Sequence, residues 1–172
     1  MYPNRKEIKM LLKGKRKKET DNRFWFPELS NIHPNAKIGV RNIIHSFVWI
    51  GENVIIGNDC RIQAFVFIPP GVTIADKVFI GPNVTFTNDK NPPSEQWAKT
   101  KVGRGASIGA GSVILPGINI GENAIIGAGS VVTKDVPSGE TWVGNPAKKI
   151  AKKESIEPYI DPFTKEKGSF HM

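Results

Sequence analysis

Residues able to do chemistry are few in this chain of 172 residues, and they are unevenly placed. Histidine occurs only at His33, His45 and His171, and the one cysteine is Cys60, which excludes an internal disulfide framework. The densest polar stretch is "TNDKNPPSEQWAKTK", residues 87 to 101. It offers an amide for hydrogen bonding in Asn88, a carboxylate in Asp89 and an ammonium in Lys90. An ordinary Asp, with a pKa of about 3.9, orients better than it takes protons. With no histidine or cysteine in it, the stretch has no side chain that is normally a base near neutral pH.

Everything around this stretch is periodic. Counting in sixes from Ile32 gives Ile38, Ile44, Ile50, Ile56, Ile62, Ile68, Ile74, Ile80 and Phe86. The count stops, then resumes at Val102 and runs through Ile108, Ile114, Ile120 and Ile126 to Val132. The fourth residue after each is small or β-branched, as at Val48, Cys60, Val84 and Ser112, with Asn42 the clear exception. A period of six is neither helical nor simple strand alternation. It predicts short strands joined by turns, each pointing one aliphatic inward, with three hexads closing a triangular coil. Residues eighteen apart then stack at about 4.8 Å as parallel strands, giving a β-helix of about five coils over residues 31–147. Glycine follows the aliphatic at 39, 51, 57, 81, 103, 109, 121 and 127, where tight corners favour a residue without Cβ. Residues 87–101 are then a loop excluded from a rigid scaffold, the usual place for binding and catalysis.

Stacking by eighteen also sets Phe47 beside Phe65 and Trp49 beside Phe67, at positions pointing away from the core. Such an aromatic column marks an interface. Cys60 falls at an inward position and is read as packing, its thiol protonated and inert. The chain is read as a single domain: a basic N-terminal segment 1–30, the β-helix, and a tail 148–172. Within the first segment, residues 4 to 18 are expected to form a short helix with Ile8, Leu11 and Leu12 on one face, and "FWFPEL" (24 to 29) to cap the open first coil. The formal charge is +8, with eight Lys or Arg against one Glu in residues 5 to 18. A second basic cluster is Lys148, Lys149, Lys152 and Lys153. Solvated ends are the plain reading; attraction to an anionic ligand or an acidic membrane surface is the sharper one. No nucleic-acid signature accompanies the charge, and no apolar run is long enough for a signal sequence or membrane span. A reducing, cytoplasmic location is expected.

The hexads, with "IGENAIIGAGSVVTKDVPSGETWVGNPAK" (120–148) and "VFIGPNVTFTNDKNP" (78–92), resemble the hexapeptide-repeat acyltransferases. The second motif resembles the subgroup that N-acetylates nucleotide-linked deoxyamino sugars for surface polysaccharides. The resemblance implies an all-β fold, a left-handed parallel β-helix, and a homotrimer with active sites between subunits. It implies acetyl-CoA as co-substrate, with Ala110 and Ala128 where small residues admit the pantetheine. Thr133 and Lys134 match contacts further along, and Lys148 matches a basic residue near the nucleotide phosphates. Related carbonic anhydrases on this fold hold a metal on three histidines; His33 and His171 lie at opposite ends here, so no metal is expected.

The resemblance also makes Asn88 and Asp89 the catalytic candidates. Sugar O-acetyltransferases of this fold carry a catalytic histidine in the corresponding loop, and an alcohol needs such a base. A neutral amine attacks a thioester without one, so the missing histidine favours transfer to nitrogen. Asn88 would hold the amine or the developing oxyanion, and Asp89 would orient the amino group or act as a weak base. Several relatives have an acidic residue where this chain has Pro70; Glu52 is the nearest acid in that column. On the substrate side stand Glu52, Lys90 and His45, the last with a structural role as its default. The expected function is an N-acetyltransferase acting on a sugar nucleotide. The alternatives are an O-acetyltransferase without the loop histidine and a non-catalytic β-helix serving binding or assembly.

Overall fold

The computed structural model describes residues 21–94 and 96–150. The expected helix at 4–18 and most of the tail, 151–172, lie outside the described residues.

The chain winds into a parallel β-solenoid of nineteen short strands arranged as three sheets. Sheet A has eight strands, from Arg23–Phe24 through Ile43–Ile44, Arg61–Ile62, Phe79–Ile80, Ser107–Ile108 and Ile125–Ile126 to Thr141–Val143 and Lys148–Ile150. Sheet B has six, from Asn31–Ile32 to Val131–Val132, and sheet C five, from Lys37–Ile38 to Asn119–Ile120. Each coil passes from A to B to C and back to A, so three lines of turns run along the solenoid: corners AB, BC and CA. The second residue of each two-residue strand points inward, and Ile44, Ile62, Ile80, Ile108 and Ile126 pair in unbroken register. These side chains and their neighbours are essentially fully buried, each burial contributing about 1.5–3 kcal/mol.

The solenoid makes about seven turns, more than the five expected. The two extra partial coils were hidden because they break the spacing of eighteen. Phe24 pairs with Ile44 at an offset of 20, and Trp142 with Ile126 at an offset of 16. "FWFPEL" thus begins as a sheet strand and continues as a short 3₁₀ turn, Pro27–Leu29, with Trp25, Phe26 and Leu29 still exposed. At the other end, residues 148–150 do not leave the solenoid. They return as an antiparallel strand on Thr141–Val143, with Lys149 Nζ on Glu140 Oε1 at 2.6 Å.

The glycines at the strand ends serve a purpose different from backbone freedom. A Cβ on Gly81 would stand 2.7 Å from Ala110 N, and one on Gly103 2.6 Å from Glu122 N. Close approach of the next coil is what excludes the side chain. Left-handed backbone falls three residues after the inward aliphatic, at Arg41, Phe47, Asn53, Asp59, Phe65, Lys77, Asn83 and Asn123 as well as at Gly105, Gly111, Gly117 and Gly129. The exception in the repeat also has a physical reason. Asn42 is fully buried, accepts from Cys60 N at 2.8 Å and donates to Gly57 O at 3.0 Å, while Asn22 Oδ1 accepts from its backbone N–H. Cys60 itself is buried, and burial pushes its thiol pKa up; Sγ donates to Ala75 O at 3.1 Å.

Candidate active site

The break in the rhythm is an outward loop at corner BC. Thr100 is fully buried and pairs with Val72, and Lys101 pairs with Thr73, so the loop proper is 87–99 and not 87–101. Its base is closed by Ala98 N donating to Asn88 O at 2.7 Å, and Thr87 Oγ1 donates to Ile114 O at 2.9 Å. The half-buried Asn88 donates from Nδ2 to Pro70 O at 3.1 Å, which fixes its amide plane.

Asp89 is turned into the loop. It accepts from Asn91 N at 3.0 Å, Ser94 N at 2.7 Å and Ser94 Oγ at 2.8 Å. Partial burial pushes its pKa up, but the hydrogen bonds from Ser94 and Asn91 together outweigh it and hold the carboxyl below its ordinary value. It is a loop-organising anion rather than a poised base. Ser94 was not singled out from the sequence; an Asp followed five residues later by a Ser is too loose a signal. Glu52, on the same column as Pro70, is engaged with Asn35 Nδ2 at 3.2 Å. Lys90 folds over the next coil at Gly117, whose backbone is left-handed (φ 80°) and whose N–H donates to Thr100 Oγ1 at 3.1 Å. Two coils beyond Asn88 on this corner come Thr133 and the exposed Lys134, with Pro116 between.

The other predicted residues lie at corner AB, across sheet B. Ala110 and Ala128 are exposed, each followed by a glycine, and no atom lies within 4 Å of a Cβ built on Gly111 or Gly129. They form a bare wall along the later coils. Further down that corner His45 stacks on Trp25, with ring centroids 6.0 Å apart and planes 13° apart. Trp25 is a neighbour that the spacing of eighteen does not reveal. Thr133 and Lys134 therefore do not continue the Ala110–Ala128 track: a full strand and its turn separate the two corners. Lys148 is exposed on the closing hairpin. On sheet B, between the corners, Trp49 and Phe67 stack at 4.7 Å, and at corner AB Phe47 and Phe65 stack at 4.8 Å. Phe47, Phe65 and Phe67 are 49%, 56% and 39% exposed. Among the described residues no three His, Cys, Asp or Glu side chains gather as a metal site would require.

The family model for the bacterial transferase hexapeptide (six repeats) matches residues 53–88 and 99–134. The chain is a hexapeptide-repeat protein. The interval between the two matches, 89–98, lies within the loop that the strand registers set outside the coil. Among curated sequences, this hexapeptide-repeat chain is 41% identical over 127 residues to the probable serine acetyltransferase 4 of Oryza sativa subsp. japonica, covering 73% of the chain and 34% of that protein. The chain spans about a third of the length of the curated relatives it matches. Among solved structures, a variant of GDP-perosamine N-acetyl transferase from Caulobacter crescentus, in complex with CoA and GDP-perosamine, superposes with a TM-score of 0.67 at 23% identity, over 86% of this chain and 65% of that one. A variant of AntD, an N-acyltransferase from Bacillus cereus in complex with dTDP and coenzyme A, gives 0.68 at 20% identity, over 88% and 90%. These likenesses establish the fold.

Proposed function

We propose that the protein is a metal-independent acetyltransferase that moves acetyl from acetyl-CoA to an amino group of a nucleotide-activated deoxyamino sugar, working as a cytoplasmic homotrimer. The observation that carries this reading is Asn88, held by Pro70 in a loop whose Asp89 carboxylate is already engaged by its own backbone and Ser94. The amide oxygen of Asn88 has no protein partner among the described residues, so it can accept from an N–H of the acceptor and aim the nitrogen lone pair. The thioester supplies an acyl carbonyl that a neutral amine attacks without a base. The C–S bond then breaks and the surplus amine proton passes to the thiolate or to water. The bare wall of Ala110, Gly111, Ala128 and Gly129 suits an extended pantetheine approaching the backbone, and Lys148 would supply a cationic contact. Thr133 and Lys134, on corner BC, would reach the coenzyme lying on a neighbouring copy's wall.

The placement of the residues supports the proposed assembly of several copies. Corner AB carries the bare wall and corner BC the loop, and sheet B lies between them. Only a second copy can set one chain's corner AB against another's corner BC, and the exposed aromatic pairs beside that gap supply apolar contact. The fold neighbours named above, crystallised with CoA and with GDP-perosamine or dTDP, support the same donor and acceptor classes.

One observation favours a second reading, transfer to a hydroxyl: the curated relatives with 38–41% identity are serine acetyltransferases. Against it, neither described histidine lies in the loop; His33 accepts from Asn35 N and His45 stacks on Trp25. Turnover with acetyl-CoA across amino-sugar nucleotides, their hydroxyl counterparts and serine, read by free-thiol release, tests both readings. Fastest release with an amino-sugar nucleotide is expected, and a preference for a hydroxyl acceptor would refute nitrogen transfer. Release with none, together with no stabilisation by coenzyme A, would favour a binding or assembly role.

A further inference from the structure

The loop carries an aromatic surface that the chemistry at Asn88 does not use. Trp97 is 54% exposed and stands next to Ala98, whose N–H is bonded to Asn88 O. A Cβ on Gly117 would lie 3.3 Å from Lys90 Cε, 3.5 Å from Lys90 Nζ and 3.3 Å from Ala98 Cβ. The Lys90 ammonium and the neighbour of Trp97 thus meet over one glycine. Among the described residues the ion pairs are Arg41–Asp59 and Lys149–Glu140, so no described carboxylate neutralises Lys90, nor Lys134 further along the same corner.

An exposed indole in a loop with ammonium groups that no described carboxylate pairs with is complementary to a planar heterocycle joined to phosphates. We propose that this elbow is a nucleoside diphosphate subsite: Trp97 stacks on the base and Lys90 faces the diphosphate of the acceptor. The inference rests on the reading of the protein as a transferase for nucleotide-linked acceptors. It gives the loop the task of selecting the nucleotide, separate from the positioning of the amine by Asn88. Two ligands of such an enzyme carry a base and phosphates, the acceptor and coenzyme A. Position favours the acceptor, because the residue after Trp97 is bonded to Asn88 and the loop lies across sheet B from the bare wall of Ala110 and Ala128.

The test uses the full-length protein, titrated separately with UDP, dTDP, GDP and coenzyme A by calorimetry and tryptophan fluorescence. At least one diphosphate is expected to bind and quench emission. Trp97→Ala should abolish that quench and weaken the diphosphate by about tenfold or more, leave coenzyme A affinity unchanged, and raise KM for the nucleotide-linked acceptor with little change in kcat. Trp97→Phe should restore most of the affinity, and Lys90→Met should weaken the diphosphate more than the nucleoside. The subsite is overturned if none of the three diphosphates binds, if Trp97→Ala leaves their affinity intact, or if it weakens coenzyme A instead. Trp97-dependent diphosphate binding without acetyl transfer would remove the transferase reading and leave the subsite. Acetylation of a sugar nucleotide with Trp97-independent affinity would do the reverse.

Discussion

Asn88 donates its side-chain N–H to the carbonyl oxygen of Pro70, 3.1 Å away and one coil earlier. The bond joins two departures from the repeat: a proline with no side-chain donor or acceptor and an amide that would otherwise turn freely. One Nδ2 N–H is committed to the backbone, while the second N–H and the Oδ1 acceptor have no protein partner among the described residues. Oδ1 suits an amine, which has N–H groups to donate, and the second N–H is left to serve a developing oxyanion.

Asn88→Ala should therefore lower kcat by up to about 100-fold, the scale of a misaligned reacting group. Acetyl-CoA affinity by calorimetry should be unchanged. Unaltered turnover on every acceptor would place the chemistry on another surface.

Asp89 acts through the loop it organises, so Asp89→Asn and Ser94→Ala should share a phenotype: a higher KM for the acceptor and an unshifted acid limb in the pH profile. Its folded pKa lies below the ordinary 3.8. The loop stabilisation it gives is thus fully present above that value and is lost as pH falls through the lower folded value. Limited proteolysis by an acid protease should show the loop opening only below that range. A collapse of rate in Asp89→Asn alone, with a displaced acid limb, would instead make it the base.

Much of this was legible because one spacing governs most of the chain. A period of six places Ile44 to Val132 inward and stacks Trp49 on Phe67 without any knowledge of pairing. Where offsets change, legibility ends, as at Phe24 and Trp142, whose strands pair at 20 and 16. The site was harder to read than the scaffold. Column arithmetic finds Asn88, Pro70 and Glu52, but it does not show that Asp89 turns back to Ser94 or that Lys90 lies over Gly117. Those contacts arise in a loop with no period, where side-chain hydrogen bonds choose the path.

Asn42→Val would restore the repeat pattern on paper, yet it should destabilise the protein. It strands the buried Cys60 N–H and removes the donor to Gly57 O, at a cost of about 1–3 kcal/mol for an unmet buried group. Urea unfolding checks this, and an unchanged midpoint would show that the neighbouring coil supplies other partners.

Replacing both Trp49 and Phe67 with Asp puts charge on sheet B between the two candidate corners. Sedimentation should shift from a trimer toward a monomer, and activity should disappear if, as proposed, the halves of the site come from different copies. A wild-type protein that sediments as a monomer at micromolar concentration would contradict the shared site.

The bare wall gives the cleanest separation of binding from folding. Gly129 has φ 68°, where most side chains are strained. Asn83 holds φ 59° on the same column, so this backbone accepts Asn. Gly129→Asn should then fold with a nearly unchanged Tm, because nothing lies within 4 Å of the new Cβ, while projecting an amide over the wall. Ala128→Trp adds a larger obstacle one residue earlier. Both should weaken coenzyme A by at least about tenfold, the scale of a lost close contact of about 1.4 kcal/mol, with the tryptophan variant the weaker binder. Calorimetric titration reads the affinity and far-ultraviolet circular dichroism the fold. Wild-type affinity in both variants would move the coenzyme off corner AB and leave the wall as a consequence of coil geometry alone.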